Sequence, residues 1–301
     1  MKRIHIFNPA AGGGHSPELL TKGAAAGEES YVTAGVGDAE RFVYGVCRER
    51  EEAHFVVYGG DGTLNEAANG IIRAEAGNRT LLSVVPAGTG NDFVRTFPEK
   101  GCVTTVDAMR YRFFADAEGK ELLGDRYAMN IINFGFDSRV VKKTGFYKSI
   151  FPGSAAYIAG VADTLCRRIG EPWQVAVTDG DGVREEYDGV FTLALAANCR
   201  YYGGGFRSAP LADPTDGLID FVAVKKVSRM TFVRLVGDYK KGTHIDPVTG
   251  QPLEKFSAYM VCKKCRSIMI SGISDLCADG EITGAGSIEI TPVPAVVRLA
   301  T

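Results

Sequence analysis

A parallel α/β domain followed by an antiparallel β-sandwich or barrel-like domain is the fold class that this sequence predicts. Three observations predict it. Up to about residue 110, short apolar runs alternate with amphipathic stretches at close spacing, the pattern of a parallel sheet covered on both faces. From about Tyr111 onward, short strand-like runs dominate and turn residues separate them. At 301 residues the chain is also long for a single core, which favours two domains.

Taken in order, Ile4–Phe7 reads as the first strand, followed by the glycine-rich turn Asn8-Pro9-Ala10-Ala11-Gly12-Gly13-Gly14. A helix is expected from Ser16 to about Gly27, a strand over Ser30–Thr33 and a helix from Asp38 to about Arg50. The run Phe55–Tyr58, apolar and rich in β-branched and aromatic residues, reads as a buried strand. It stops at Gly59-Gly60, and Leu64, Ala67, Ala68 and Ile71 then share one helical face as far as about Arg73. Leu81–Val85 is the fourth strand, and it ends in Pro86-Ala87-Gly88-Thr89-Gly90-Asn91-Asp92-Phe93.

These turns carry the chemistry. A strand that ends in glycines and opens a helix aims backbone N–H groups and the positive helix end at an anion. Asp61 lies inside such a turn, and a carboxylate repels phosphate unless a divalent cation sits between them. The stretch therefore points to a metal–nucleotide; a plain helix cap is the competing role for Asp61. Two polar glycine turns at successive strand ends point to one shared nucleotide site at the carboxyl edge of the sheet.

In the second part, strand-like runs span Arg126–Phe134, Trp173–Asp179, Val183–Tyr187, Val190–Asn198, Leu218–Val224, Lys255–Val261, Ser267–Ser271, Ser287–Thr291 and Val296–Leu299. Asp179-Gly180 and Asp181-Gly182 read as a hairpin turn. Helices are expected from Ser154 to about Ile169 and from Ser228 to about Lys240. The domain boundary falls near 110–126.

Composition excludes several classes. Net charge is −2, without the basic footprint of a nucleic-acid binder. The N-terminus has no apolar signal core, and no run approaches the ~18 apolar residues of a spanning helix. Seven scattered cysteines suit a reduced cytoplasm better than a disulfide framework. Cys262-Lys-Lys-Cys265 lacks a second pair or a nearby histidine, and on a strand its thiols point to opposite faces.

In this order, NPAAGGG, GGDGTLNE, PAGTGNDF, YYGGGFRSAPLADPTDGLID and ADGE resemble the diacylglycerol kinase/sphingosine kinase catalytic family, and among its members the soluble bacterial lipid kinases. The resemblance runs from Phe7 to about Ile282. It implies a three-layer α/β ATP-binding domain over 1–115 and a β-sandwich lipid-substrate domain over 116–292, with 293–301 returning to the first. It also implies ATP and Mg2+ in the cleft between them and a lipid hydroxyl as acceptor, diacylglycerol or a related lipid.

Carried over by position, the nucleotide contacts would be Asn8, Pro9, Ala10, Ala11, Gly12, Thr33, Gly59, Gly60, Asp61, Gly62, Thr63, Leu64, Asn65, Glu66, Gly88, Thr89 and Asn91. Asp61, Asp92 and Asp107 match acidic positions around Mg2+. Asp213, Asp216 and the Leu218 carbonyl match a second, structural metal site, although the two aspartates also suit simple turns. ADGE supplies the general base, with Glu281 as the usual candidate and Asp279 as its rival; an exposed hairpin is the plain alternative for Glu281. A protein of this kind would be cytoplasmic and peripheral to the inner membrane face, with a homodimer as the assembly to consider. Lys142, Lys143 and Lys148, mixed with Phe146 and Tyr147 over Arg139–Ile150, suit an anionic interface or an ordinary solvated face. An NAD kinase-like enzyme and a non-catalytic nucleotide- or lipid-binding regulator are the rival readings.

Overall fold

The computed structural model describes residues 1–13, 28–50, 52–116, 118–147, 154–166, 169–284 and 286–301. The helix expected from Ser16 to about Gly27 lies outside them, as do Lys148 to Ile150 of the basic segment.

The first part is a parallel sheet in the order β4-β3-β1-β2, made by β1 (Lys2–Phe7), β2 (Glu29–Val32), β3 (Ala53–Gly59) and β4 (Thr80–Pro86). Register places Ile4 beside Phe55 and Phe55 beside Leu82. Helices α1 (Asp38–Glu49) and α2 (Asp61–Arg73) lay Val43, Val46, Leu64 and Ile71 on Ile4, Ile6, Val57 and Leu82 in one core. Burying each large aliphatic side chain contributes about 1.5–3 kcal/mol. The two helices touch at Gly70, where a Cβ would meet the Glu40 carbonyl at 2.7 Å.

Two long strands join this sheet to the second part. β5 (Val103–Phe114) and β14 (Ser287–Ala300) pair antiparallel along their lengths. The end of β14 runs parallel to β4, with Leu299 beside Leu82, and its start runs antiparallel to β11 (Met260–Ser271). A register shift between Val293 and Val297 separates the halves, where Pro294 has no N–H to give the ladder and Ala295 takes φ 54°.

The remaining strands are β6 (Leu122–Ala128), β7 (Ile131–Gly135), β8 (Glu171–Asp179), β9 (Arg184–Ala197), β10 (Ile219–Lys225), β12 (Asp275–Ala278) and β13 (Glu281–Gly284). β9 pairs with β8 through its first half and with β7 and β10 through its second, and β11 likewise divides between β10 and β8. Strands that change partners in this way form the two layers of a sandwich. Trp173, Phe191, Phe221, Ile268 and Ile290 fill the space between them. The other α-helices among the described residues are α3 (Phe136–Tyr147), α4 (Ser154–Cys166), α5 (Arg229–Lys241) and the single turn α6 (Glu254–Ser257). Leu193, Leu195, Val222 and Val224, on the outer sheet face, pack beneath Phe232 and Leu235 of α5.

The expected fold class is the observed one, with local corrections. Val183–Tyr187 and Val190–Asn198 form one strand, as do Ser287–Thr291 and Val296–Leu299. The polar interruption at Asp188 continues the ladder opposite Gln174, so it does not end the strand. Lys255–Val261 begins as helix, because Leu253 opens a turn that Phe256 seals into the core. Helix α3 was not expected. Cys262 and Cys265 do face opposite sides of β11, each in a different apolar cluster.

Candidate active site

The turns after β1, β3 and β4 interlock at one edge of the parallel sheet. Asn8 Nδ2 donates to Thr63 Oγ1 at 2.8 Å, and its Oδ1 accepts from the Ala10 N–H at 2.9 Å. The Ala87 N–H donates to the Gly59 carbonyl at 2.9 Å, and the Thr33 N–H to that of Phe7 at 2.9 Å. Two glycines are required here. Gly12 has φ 62° and a Cβ on it would lie 2.5 Å from the Ala87 oxygen, while one on Gly88 would lie 2.5 Å from the Gly60 Cα. Side chains at these points would push the turns apart.

Asp61 is the first residue of α2, with Gly60 at the cap position. Instead of capping its own helix, its carboxylate accepts from the Asp92 N–H at 3.0 Å and the Phe93 N–H at 3.1 Å. Asp92 is buried beside it. Its Oδ2 accepts from the Gly204 N–H at 2.7 Å, whereas its buried Oδ1 accepts no hydrogen bond, with Arg95 Nε at 3.4 Å. Burial raises the Asp92 pKa, and the Asp61 charge adds to the rise. A Cβ on Gly90 would sit 3.2 Å from Asp61 Oδ2 and 3.3 Å from Asp92 Oδ2, so both carboxylates crowd the same turn.

Asp279 comes from the other end of the chain. It takes φ 48°, and its carboxylate accepts from the N–H groups of Met129 (2.6 Å), Asn130 (3.1 Å) and Ile131 (2.9 Å). These N–H groups leave the strand ladder to reach it, which is why the expected strand Arg126–Phe134 is broken into β6 and β7. Desolvation pushes Asp279 up to about 7 against the pull of the three N–H groups. With its amide turned to satisfy both ends, Asn65 donates to Asp279 Oδ2 at 3.1 Å and to the Tyr127 carbonyl at 3.2 Å.

Asp61, Asp92 and Asp279 line one cavity of about 480 Å³. Its walls are otherwise largely apolar: Val140 and Val141 of α3, Leu193 of β9, and Phe232, Leu235 and Val236 of α5. Asn133, Asp137 and Tyr202 add polar groups, and the Tyr202 hydroxyl donates to Asp137 Oδ2. Desolvation raises Asp137 to about 6.

Several residues expected at the site face elsewhere. The Leu64 side chain belongs to the helix–sheet core. The Glu66 carboxylate accepts from the Gly37 and Ala39 N–H groups at 2.9 and 3.1 Å, holding the start of α1. Glu281 lies 3.8 Å from Arg126 and shares a small recess with Glu66 and Tyr127, outside the lining of the large cavity. Asp107 is buried, and its two carboxylate oxygens take the N–H groups of Gly217 (2.8 Å) and Ala295 (2.7 Å). It fixes the 213–218 loop to the β14 bulge and does not line the cavity. Asp213 accepts from Thr215 at 3.0 Å, and Asp216 pairs with Lys264 at 2.6 Å, an ammonium that also reaches Asp220 at 2.8 Å.

Sequence reasoning missed Asn69, which donates to the Tyr127 carbonyl at 2.9 Å, and the Gly204 N–H on Asp92. Asn69 was findable: it stands one helical turn after Asn65 on the same face.

Residues 2–111 match the diacylglycerol kinase catalytic domain, and residues 130–301 match the YegS C-terminal NAD kinase beta sandwich-like domain. The chain belongs to the diacylglycerol kinase catalytic family. Its curated relatives include a diacylglycerol kinase of Mycobacterium tuberculosis (strain CDC 1551 / Oshkosh), 31% identical over 260 residues that cover 81% of this chain and 75% of that one. A diacylglycerol kinase of Staphylococcus saprophyticus is 31% identical over 93% of this chain and 88% of that one. A crystal structure of a diacylglycerol kinase from Bacillus anthracis str. Sterne superposes with a TM-score of 0.65 at 22% identity, covering 99% of this chain and 96% of that one; it carries the fold alone. Membership of this kinase family makes the chain a phosphotransferase.

Proposed function

We propose that this protein is an ATP- and Mg2+-dependent lipid kinase that transfers the γ-phosphoryl group to a lipid hydroxyl, with diacylglycerol or a related lipid as acceptor. One observation carries the reading: an apolar cavity ends at three aspartates beside a glycine-lined edge. Acyl chains fit the apolar walls, and the headgroup hydroxyl then reaches the carboxylate end.

The residues present fit the absent groups. N–H groups of the turns after β1, β3 and β4 suit polyphosphate, as does the start of α2. Among the described residues no group of three or more His, Cys, Asp or Glu forms a closed metal cage. Asp61 and Asp92 would instead hold Mg2+ in company with water and phosphate oxygens, its usual arrangement, and the hydrogen-bond-free Asp92 Oδ1 suits that. Bound there, Mg2+ supplies neutralisation of charge on the phosphate oxygens.

Asp279 is positioned to hold the proton of the attacking hydroxyl. Three backbone donors fix its orientation, and a carboxyl raised to about 7 is a better base than an ordinary aspartate. Asn65 of α2 orients the same carboxylate. The apolar cavity favours a lipid over the dinucleotide acceptor of an NAD kinase.

The test is incubation with Mg2+, γ-labelled ATP and detergent-dispersed lipids, with NAD in parallel. Label is expected in an organic-extractable phospholipid. Label in NADP would establish the NAD kinase reading instead, and ATP binding with no transfer to any acceptor would favour a regulator.

A further inference from the structure

Helix α5 has two apolar faces. Phe232, Leu235, Val236 and Tyr239 point inward and line the cavity. On the outer face, Met230 is 64% and Val233 54% exposed, at the spacing of one helical ridge. Between residues 225 and 241 the chain carries six basic residues and one acid, in a protein whose net charge is −2. All six (Lys225, Lys226, Arg229, Arg234, Lys240 and Lys241) are exposed. The acid, Asp238, is matched by Lys255 at 2.9 Å. Arg229 donates to the Leu165 carbonyl at 2.8 Å. The lysines of α3 are held in ion pairs: Lys142 pairs with Asp275 at 3.1 Å and Lys143 with Asp163 at 2.9 Å.

We propose that the outer face of α5, with the segment that leads into it, docks this protein on an anionic phospholipid bilayer, with Lys226 of that segment and Arg234 of the helix at the headgroups and Met230 and Val233 in the interface. A helix basic on one side and studded with exposed apolar residues suits such a surface, because the cations meet anionic headgroups while the apolar side chains leave water. Apolar residues between the cations favour a bilayer over an acidic polymer, which offers them nothing to enter. The helix that meets the bilayer is also a wall of the acyl cavity, so docking sets the cavity against the source of its ligand. That consequence rests on the lipid-kinase reading; the docking itself does not.

Co-sedimentation with equimolar phosphatidylglycerol–phosphatidylcholine vesicles, against pure phosphatidylcholine, tests it without using activity. Binding is expected to the anionic vesicles only and to weaken with salt. Lys226→Gln and Arg234→Gln should each weaken it about fivefold, and Met230→Ser with Val233→Ser about tenfold. Lys142→Gln with Lys143→Gln should leave it unchanged. These side chains lie outside the cavity lining, so phosphorylation of detergent-dispersed lipid should persist in every variant. Failure of wild-type protein to bind anionic vesicles, or loss of binding through the α3 lysines alone, would overturn the proposal. Binding that depends on the cations but not on Met230 and Val233 would overturn the placement of those two side chains in the interface. Vesicle binding by a protein that phosphorylates no dispersed lipid would uphold the docking face and sink the kinase reading.

Discussion

Replacing Asp279 with Asn should lower the turnover of lipid phosphorylation by about 10²–10⁴-fold, the range of a positioned general base. Nucleotide affinity should change little, because the turns after β1, β3 and β4 do not depend on this side chain. In the wild-type enzyme, kcat/KM should rise with pH through about 7 and then level, as the Asp279 carboxyl loses its proton. The Asn variant should lack that rise. Stability supplies a second readout. The folded carboxyl titrates at about 7 against an unperturbed 3.8, so its contribution is full below 3.8 and lost as pH rises through 7. Melting temperatures measured without Mg2+ should therefore fall less with pH in Asp279→Asn than in the wild type. The variant should also melt lower overall, since an amide has one acceptor for the Met129, Asn130 and Ile131 N–H groups. Glu281→Gln, outside the cavity, should change turnover only a few-fold. Full activity in Asp279→Asn together with loss in Glu281→Gln would transfer the role of base to Glu281.

Val141→Trp should produce the second large effect. Val141 lines the cavity and is only partly packed, so an indole has room to enter without displacing core. Filling the space should cut phosphorylation of long-chain diacylglycerol by about a hundredfold, the cost of excluding roughly three to four methylenes in all from an apolar wall. A short-chain analogue should lose far less. Equal losses on both substrates would place the acyl chains elsewhere.

Much of this was legible in the chain because the signals were local. Phe55–Tyr58 followed by Gly59-Gly60 announces strand, turn and helix within a few residues, and β1, β3, β4 and α2 stand where that pattern puts them. A helix cap was the plain local alternative for Asp61, and only the fold shows its carboxylate turned to Asp92 and Phe93. Features set by distant partners were not legible. The break at Met129–Asn130 is imposed by a carboxylate 149 residues away. The family resemblance made Glu66 a nucleotide contact, yet the start of α1 takes its oxygens. Asp107 carries no local sign that Gly217 and Ala295 consume its carboxylate. Helix α3 was hidden because its apolar positions, Phe136, Val140 and Val141, are interleaved with charges that suggested a surface segment.

The claim on which the rest depends is that one cavity holds the acyl chains and the phosphoryl acceptor together. A diacylglycerol bearing a photoactivatable diazirine in its acyl chain tests this directly, with peptide mapping of the adducts by mass spectrometry. Adducts should concentrate in Phe136–Tyr147 and Arg229–Lys241 and be lost in Val141→Trp. Adducts confined to residues outside the cavity wall, unaffected by that substitution, would contradict it.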